Sequence, residues 1–350
     1  MSPSPTLEET SLPESFRDEA DLEAFLSTPT RSLVEDLARL DGDILILGVA
    51  GKVGPTLARM AKRAAPSKRV IGVARFSDPA VKRRLESAGV ETAVCDLLNR
   101  ASVARLPEAA NVIYMAGKKF GTTSGEPLAW AMNAVVPAYV GERLRGTRFV
   151  AFSTLCVYPF SPVDGPGASP TDTPPTPVGE YANGCVARER IFQYFSGRSG
   201  SPGRLARLNY AIDCRYGVLS DVAQWVLSGR PIDIRTGVAN CIWQGDAIAQ
   251  ILRCLRHGTV PASPINIGAP RTARIREVAR RFGELFDREP IFDGVEQATA
   301  WHNDCTEAQR LLGDPTVDLE TMIRWNADWL RRGLPLHGKP THYEQRAGMF

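Results

Sequence analysis

The sequence predicts an α/β fold, in which a doubly wound parallel sheet is covered by helices on both faces and followed by a smaller C-terminal lobe. Two observations predict it. Short runs rich in β-branched residues alternate with amphipathic stretches, starting with Ile44–Leu47 and Pro55–Ala64. The strand runs are almost continuously apolar, which is typical of strands buried on both faces. Further strands are predicted at 69–73, 92–95, 111–115, 149–152 and 204–208, and further helices at 80–88, 102–106, 128–144, 181–195 and 318–331.

These patterns divide the chain into four parts: residues 1–42, 43–210, 211–335 and 336–350. The first is an acidic extension with ten acids and three bases up to Asp41, in which apolar spacing predicts two short helices. We interpret it as a collar packed on the next part, with a partner-binding or oligomer-forming arm as the alternative. Its first 15 residues are expected to be disordered or loosely draped.

The last two parts of the chain have different expected roles. The third part, 211–335, is expected to form a substrate lobe that is interleaved with the last elements of the sheet domain. The polar tail, 336–350, has no apolar pattern. It is expected either to cover a cleft or a neighbouring subunit, or to be a disordered terminus.

Composition excludes several classes of function. Apolar residues make up 43% and charged residues 23%, and the net charge is only +3, so neither nucleic acid nor a membrane surface is an expected partner. No apolar run approaches the ~18 residues that a membrane span needs, and the N-terminus lacks the features of a signal peptide. The seven cysteines form no C-x-x-C pair and the four histidines have no ligand spacing. We therefore expect a cytoplasmic protein with reduced thiols and no metal.

A glycine-rich turn follows the first predicted strand. Gly48, Gly51 and Gly54 are spaced three apart, with Lys52 and Val53 between the last two. Glycines here allow a tight turn, close approach of backbone N–H groups to a pyrophosphate, and close packing of helix on strand. Because the turn lies between a buried strand and a helix, residues 43–210 are predicted to form a Rossmann-type dinucleotide-binding domain.

The end of the second strand bears on which dinucleotide is bound. Arg75 stands there, and no acid follows before Asp78. An acid would hydrogen-bond the ribose hydroxyls of NAD, whereas an arginine can pair with the 2′-phosphate of NADP. The sequence therefore favours NADP over NAD, unless Arg75 only caps the turn or stacks on the adenine.

Several further segments resemble the extended short-chain dehydrogenase/reductase family, in particular its NAD-dependent epimerase/dehydratase branch. The resemblance runs from about Asp43 to Leu330. It implies that Asp96 and Leu97 touch the adenine, that Ala116 and Gly117 lie against the cofactor ribose, and that Asn133 is the family's helix asparagine. The stretch Phe152–Tyr158 is similar to the family's S-[ST]-x-x-V-Y motif, which implies that Thr154 is the catalytic serine or threonine.

The resemblance also implies a catalytic tyrosine, Tyr181, which would contact the cofactor as well. In the family a lysine four residues later lowers the pKa of that tyrosine; here Cys185 stands at the lysine position. Three alternatives follow. The charge is supplied elsewhere, for instance by Lys119 or Lys118; Tyr181 only donates a hydrogen bond while another base acts; or the protein binds a cofactor without turnover.

The resemblance implies a function as well as a fold. We expect a Rossmann domain with a substrate lobe, acting as an NAD(P)-dependent oxidoreductase, epimerase or dehydratase on a carbinol of a sugar or sugar derivative, and forming a homodimer. A nucleotide-linked substrate is left in doubt, because Asn240 stands near the place of the family's phosphate-binding arginine, with Arg235 close by. The alternative is a non-catalytic NAD(P)-binding scaffold or redox sensor.

Overall fold

Seven parallel strands form the central sheet of the computed structural model, which describes residues 6–9, 11–119 and 125–348. The strands are β1 (Ile44–Leu47), β2 (Val70–Ala74), β3 (Glu91–Val94), β4 (Asn111–Tyr114), β5 (Arg148–Thr154), β6 (Gly203–Leu208) and β7 (Ser263–Ile267). Their order across the sheet is β3-β2-β1-β4-β5-β6-β7. Because β1 pairs with both β2 and β4, the order reverses direction beside β1, and ligands bind at the carboxyl ends of strands at such a reversal.

Helices cover both faces of this sheet. They are α1 (Glu19–Leu26), α2 (Arg31–Ala38), α3 (Gly54–Ala64), α4 (Pro79–Ser87), α5 (Arg100–Ala104), α6 (Glu126–Trp130), α7 (Val136–Gly141), α8 (Gly179–Ser199), α9 (Val218–Ser228), α10 (Gln244–Arg253), α11 (Ile275–Phe286), α12 (Thr306–Leu312) and α13 (Leu319–Arg331). In β1, Ile44 and Ile46 pack towards α2, α3 and α10, whereas Leu45 and Leu47 pack towards α5, α7 and α8. The predicted doubly wound α/β fold is confirmed.

One predicted helix is interrupted. The stretch predicted as a helix over 128–144 is instead α6, a π-helical turn at Ala131–Val135, and α7. The turn brings Asn133 to the chain that follows β4, where its amide oxygen accepts from the N–H of Lys118 and its amide nitrogen donates to the carbonyl of the same residue. A π-turn inside a helix is frequent at functional sites. The other predicted elements differ from the observed ones by a few residues at their ends.

The N-terminal extension packs as a collar on both lobes. Its helices α1 and α2 bury Leu22, Leu26, Leu33 and Leu37 completely. The expectation of disorder is wrong for the described part of residues 1–15, because Leu7 donates its N–H to Pro29 and the carbonyl of Pro13 accepts from the Trp325 indole. Residues 1–5 and residue 10 lie outside the described part of the chain.

The second lobe has its own apolar core and small paired strands. Helices α9, α11 and α13 surround this core, which includes Trp243 and Trp325. The two-residue strands of this part of the structure are Ser161–Pro162, Ala211–Ile212, Ile232–Asp233, Val238–Ala239, Ile242–Trp243, Ala273–Arg274, Phe292–Asp293 and Thr299–Ala300. Short 3₁₀ turns occur at Leu7–Glu9, Leu155–Val157 and Cys254–His257.

Two observations concern the whole of the described chain. All seven cysteines are free and buried, in keeping with the expected reduced thiols. None of the described helices is both long enough and apolar enough to cross a bilayer.

Candidate active site

The glycine turn after β1 leaves no room for larger side chains at two positions. Gly48 has φ +90°, and a Cβ there would lie 2.7 Å from the backbone of Ala116. A Cβ on Gly54 would lie 2.1 Å from the carbonyl oxygen of Val49. At Gly51, by contrast, the nearest atom would be 3.5 Å away. The atoms of the protein therefore leave room for a side chain at Gly51. The lack of a side chain at this position keeps the adjoining groove open for a ligand.

Helix α3 begins at this turn with its first N–H groups available to an anion. Val53, the residue that precedes the helix, provides no side-chain cap, and Pro55 occupies the first turn. Uncapped N–H groups and the helix dipole attract phosphates. The ammonium of Lys52 lies 3.4 Å from the centroid of the Tyr216 ring. Although the residue as a whole is exposed, desolvation of this ammonium lowers the pKa of Lys52 to about 7, with Asp213 opposing the shift.

A groove of about 380 Å³ extends from the glycine turn towards the ends of β2 and β3. Gly48, Gly51, Arg75, Asp96 and Leu97 line it, together with Ala116 and Gly117. The Arg75 side chain is exposed and makes no salt bridge or side-chain hydrogen bond within the described chain. These residues fit the adenosine half of a dinucleotide, since an adenine, a ribose and an extra phosphate would find apolar, polar and cationic partners there.

A second cavity, of about 290 Å³, continues the groove over the ends of β4, β5 and β6, and we call it the inner cleft. It shares Met115 and Gly117 with the first, so the two form one path. Lys52, Val53, Lys118, Lys119, Thr154 and Tyr181 line the inner cleft. The Thr154 hydroxyl accepts from the N–H of Cys156, which leaves its proton to be donated into the cleft. The ammonium of Lys119 lies 6.0 Å from the centroid of the Tyr181 ring.

Cys185 does not line the inner cleft. It is fully buried and packs with Val157, Tyr158 and Val186. Burial raises the pKa of the Cys185 thiol, and the nearby Arg188 cation opposes this. The same burial raises the pKa of Tyr181 well above its ordinary value; Cys185 adds to the rise and Arg188 opposes it.

Arg188 lies at the floor of the cleft and is 95% buried. Its guanidinium donates to the carbonyl of Phe152 at 2.9 Å and to the amide oxygen of Asn133. A Cβ on Gly117 would lie 2.5 Å from that guanidinium, which explains the glycine. A Cβ on Gly184 would lie 3.1 Å from the Cβ of Asn133, so this helix glycine lets α8 approach the π-turn. The Nε of Arg188 has no hydrogen-bond partner within the described part of the chain.

Comparison with known proteins identifies the family of this domain. Residues 44–212 match the NAD dependent epimerase/dehydratase family. This segment belongs to that family. The match confirms the predicted family and, at that level, the predicted class of NAD-dependent epimerase or dehydratase. A comparison with curated protein sequences gives no match.

Solved structures of epimerases share the fold. UDP-glucuronic acid 4-epimerase from Bacillus cereus, in complex with UDP-glucuronic acid and NAD, aligns with a TM-score of 0.67 and 19% identity over 83% of this chain and 99% of that one. UDP-glucose 4-epimerase from Thermotoga maritima aligns with a TM-score of 0.68 and 18% identity, again over 83% and 99%. UDP-glucose 4-epimerase from Thermus thermophilus, in complex with NAD, gives 0.66 and 20% over 83% and 99%. At these identities the likeness establishes the fold alone.

A buried ion pair holds the strands of this epimerase/dehydratase domain in register below the cleft. Glu189 accepts two hydrogen bonds from Arg207, at 2.9 and 2.6 Å, and a third from Ser153 at 2.6 Å. Both partners of the pair are at most 3% exposed. Because breaking such a pair leaves a buried charge unpaired, it fixes α8, β5 and β6 relative to one another. The pair thereby holds α8, which carries Tyr181, against the end of β5, which carries Thr154, and both residues line the inner cleft.

The C-terminal tail contributes to the cleft of the family domain, as one of the alternatives for it predicts. Thr341 and His342 line the inner cleft. The side chain of Asp221 accepts from both the N–H and the hydroxyl of Thr341, at 2.8 and 2.6 Å. Tyr343 is 1% exposed. The alternative of a disordered terminus is therefore wrong up to residue 348; the last two residues lie outside the described chain.

A larger cavity of about 560 Å³ lies at the opposite, amino-terminal edge of the sheet, beside Gly42 and Thr147. It contains none of the residues that the family resemblance singles out. Since open α/β sheets bind ligands at the carboxyl ends of their strands, we place the site in the glycine-turn groove and the inner cleft instead.

The predicted site residues thus lie along one path, with three exceptions. Asn133 is fully buried and bonds Lys118 and Arg188 instead of lining the path. Gly54 packs against the strand rather than on the path, and Cys185 lies behind it. Sequence reasoning missed Arg188 and the cleft residues of the tail. A signal for Arg188 was present, because it follows Tyr181 by seven residues and so shares a helix face with it. For Thr341 and His342 no local signal exists.

Proposed function

We propose that the protein uses a bound nicotinamide dinucleotide to oxidise a carbinol carbon of a sugar or sugar derivative, with epimerisation, dehydration or net oxidation as the outcome. One observation carries the proposal: the groove from the glycine turn adjoins the cleft that Tyr181 and Thr154 line, and Met115 and Gly117 line both. A dinucleotide laid along groove and cleft would have its nicotinamide beside both hydroxyls. The oxidised nicotinamide would supply the acceptor for the hydrogen of the substrate carbon.

The side chains of the cleft orient the substrate and transfer its hydroxyl proton. The Thr154 hydroxyl donates a hydrogen bond to the substrate hydroxyl oxygen and thereby orients the substrate. Tyr181 takes up the hydroxyl proton when the carbonyl forms and returns it in the reverse step. Its raised pKa keeps the phenol protonated in the unliganded protein. Proton uptake therefore needs a nearby cation. Arg188 is a cation that lowers the pKa of Tyr181, and the Lys119 ammonium lies 6.0 Å from the centroid of its ring.

We also propose that the cofactor is NADP rather than NAD, and that the protein is a homodimer. Arg75 supports the first, because it lies at the adenosine end of the groove and makes no salt bridge or side-chain hydrogen bond with another described residue. Four exposed apolar side chains on adjoining elements support the second, since exposed apolar surface commonly marks an interface. They are Leu128, Trp130, Val135 and Tyr194, on α6, the π-turn and the adjoining α8.

The test of function identifies both the bound cofactor and the product of the reaction. The purified protein is denatured and its released dinucleotide identified by mass spectrometry; the holoprotein is then incubated with sugars, uronates, aldonates and nucleotide sugars and followed by NMR. We expect turnover of at least one substrate, and loss of turnover with retained dinucleotide in Tyr181→Phe. If the dinucleotide binds and no substrate changes, the protein is the non-catalytic scaffold.

A further inference from the structure

The inner cleft carries charge of one sign. Lys52, Lys118, Lys119 and Arg188 line it, and none of the described residues that line it is an aspartate or a glutamate. The chain as a whole has 42 basic and 39 acidic residues, so this imbalance is not a consequence of composition. A cleft of one sign with low-dielectric walls concentrates ligands of the opposite sign.

The dinucleotide does not account for all of this charge. Lys52 belongs to the glycine turn, on the side of the pyrophosphate, and Arg188 is held beneath Gly117 by the Phe152 carbonyl and Asn133. Lys118 and Lys119 follow β4, and the Lys119 ammonium lies 6.0 Å from the centroid of the Tyr181 ring. Two lysines next to the reacting position are suited to an anionic group on the substrate itself.

The tail limits how large that substrate can be. Thr341 and His342 form part of the wall of the inner cleft, whereas Leu336, Gly338 and Lys339 of the same segment line a separate groove outside it. Tyr216 lies between the two and lines both. The tail therefore separates the inner cleft from the outer groove.

Three contacts anchor this wall. Asp221 binds Thr341, as described above. The guanidinium of Arg346 donates to the carbonyl and the hydroxyl oxygens of Thr299, at 2.7 and 2.8 Å. Gly348 lies so close to the start of α8 that a Cβ on Gly179 would be 2.4 Å from its carbonyl oxygen. The cleft behind the wall has about 290 Å³, which is at the small end for ligand sites and must also hold the nicotinamide.

The substrate lobe offers no cation for a nucleotide diphosphate at the two positions that the resemblance indicates. Asn240 is 1% exposed, donates to the carbonyl of Ala269 and accepts from Asn209, so its amide is already used. Arg235 pairs with Asp233 and Asp293 and does not line the inner cleft.

We infer that the substrate is a single sugar unit carrying a terminal anionic group, a carboxylate or a phosphate, that Lys118 and Lys119 bind this group, and that the tail excludes nucleotide-linked sugars. This inference rests on the proposed function of the same cleft and names its substrate class. It follows from the charge of the lining, the position of the tail and the occupied amide of Asn240.

The test measures binding, so that it does not depend on turnover. Calorimetric titration of the holoprotein uses glucuronate, gluconate, glucose 6-phosphate, neutral glucose and UDP-glucose as probes. We expect at least one of the three anionic monosaccharides to bind at least about tenfold more tightly than glucose, and UDP-glucose not to compete with it. The three anions distinguish carboxylate from phosphate.

Variants test the residues assigned. Lys118→Gln and Lys119→Gln are each expected to weaken the anionic sugar by about tenfold, the effect of removing one charge-assisted contact. Lys339→Gln, on the outer side of the tail, is the matched control and is expected to change nothing. Tighter binding of UDP-glucose than of every anionic monosaccharide, or binding that both lysine variants leave unchanged, would overturn the inference. Binding of an anionic monosaccharide without turnover would uphold the inference on substrate class and refute the proposed function. Turnover of UDP-sugars would support the proposed function and overturn the inference.

Discussion

Arg188 and Asn133 form a hydrogen-bonded pair directly beneath Gly117, where the guanidinium of one donates to the amide oxygen of the other. The pair links α8 to the π-turn and brings a permanent cation to the floor of the cleft. Position 185, one helical turn after Tyr181, is the place of the family lysine and lies behind the cleft in this structure. Arg188, two helical turns after Tyr181, reaches the floor. Because guanidinium remains charged throughout the accessible pH range, the site keeps a cation although Cys185 replaces the lysine.

The role of Arg188 is tested by its replacement. Arg188→Met is expected to lower kcat/KM by about 100-fold, in the range of acid–base contributions, and to shift the rise of the pH–rate profile upward, because the pKa of Tyr181 loses the cation that lowers it. Arg188→Lys keeps a cation and should therefore show a smaller loss of kcat/KM and a smaller shift of the pH–rate profile. The control is Arg190→Met, the same change at an exposed position of α8. A reduced rate with an unmoved pH profile would show that Arg188 only supports the fold.

Restoring the family lysine is expected to fail. In Cys185→Lys an ammonium would replace a fully buried thiol among Val157, Tyr158 and Val186, close to the Arg188 cation. Burying an unpaired charge beside a like charge costs about 3 kcal/mol or more. We therefore expect a clear fall in Tm and no gain in activity, whereas Cys185→Ala should lose about 1–2 kcal/mol of stability and keep most activity. A stable Cys185→Lys protein that is more active at lower pH would instead show that the thiol is a tolerated replacement.

Cofactor choice depends on Arg75. Arg75→Ala is expected to weaken NADP binding by about tenfold or more and leave NAD binding unchanged, since only the 2′-phosphate would lose a charge-assisted partner. Fluorescence or calorimetric titration with both dinucleotides measures this. Arg83→Ala, on the exposed side of α4, provides the control. Equal losses for the two cofactors would place Arg75 against the adenine instead.

How much of this site the sequence could predict depends on how local each feature is. The glycine turn was predictable because strand, turn and helix are consecutive, and Gly48 and Gly54 are required by contacts with Ala116 and Val49. For Arg188 only the helix face was predictable, from its spacing of seven residues after Tyr181. Its position beneath Gly117 was not, because that position depends on Asn133 and on a π-turn that no residue pattern predicts. The tail was open to two interpretations, since the bond between Asp221 and Thr341 joins residues 120 positions apart.

The proposed dimer is tested at its exposed apolar side chains. Tyr194 is 58% exposed and Val135 42%, on adjoining elements. If they form the interface, Val135→Glu and Tyr194→Glu should each shift the sedimentation of the protein from dimer towards monomer, because a buried unpaired carboxylate opposes association. Val295→Glu, at an apolar residue that is 75% exposed elsewhere, is the control. A wild-type protein that sediments as a monomer at all concentrations would contradict the proposal.

Dinucleotide binding should depend on pH through Lys52. In the unliganded protein the pKa of Lys52 is lowered to about 7, chiefly by desolvation. A pyrophosphate nearby favours the ammonium and so raises this pKa again on binding. By linkage, affinity is highest below the pKa of the free protein and falls as the pH rises through and above about 7. Titrations from about pH 6 to about pH 9 should show this fall, with proton uptake above pH 7. In Lys52→Met we expect weaker dinucleotide binding and no fall in affinity with rising pH. Lys82→Met, a lysine replacement on α4, is the control and is expected to keep the pH dependence of the wild type. The same slope in wild type and Lys52→Met would mean that another group, and not the ammonium of the glycine turn, senses the pyrophosphate.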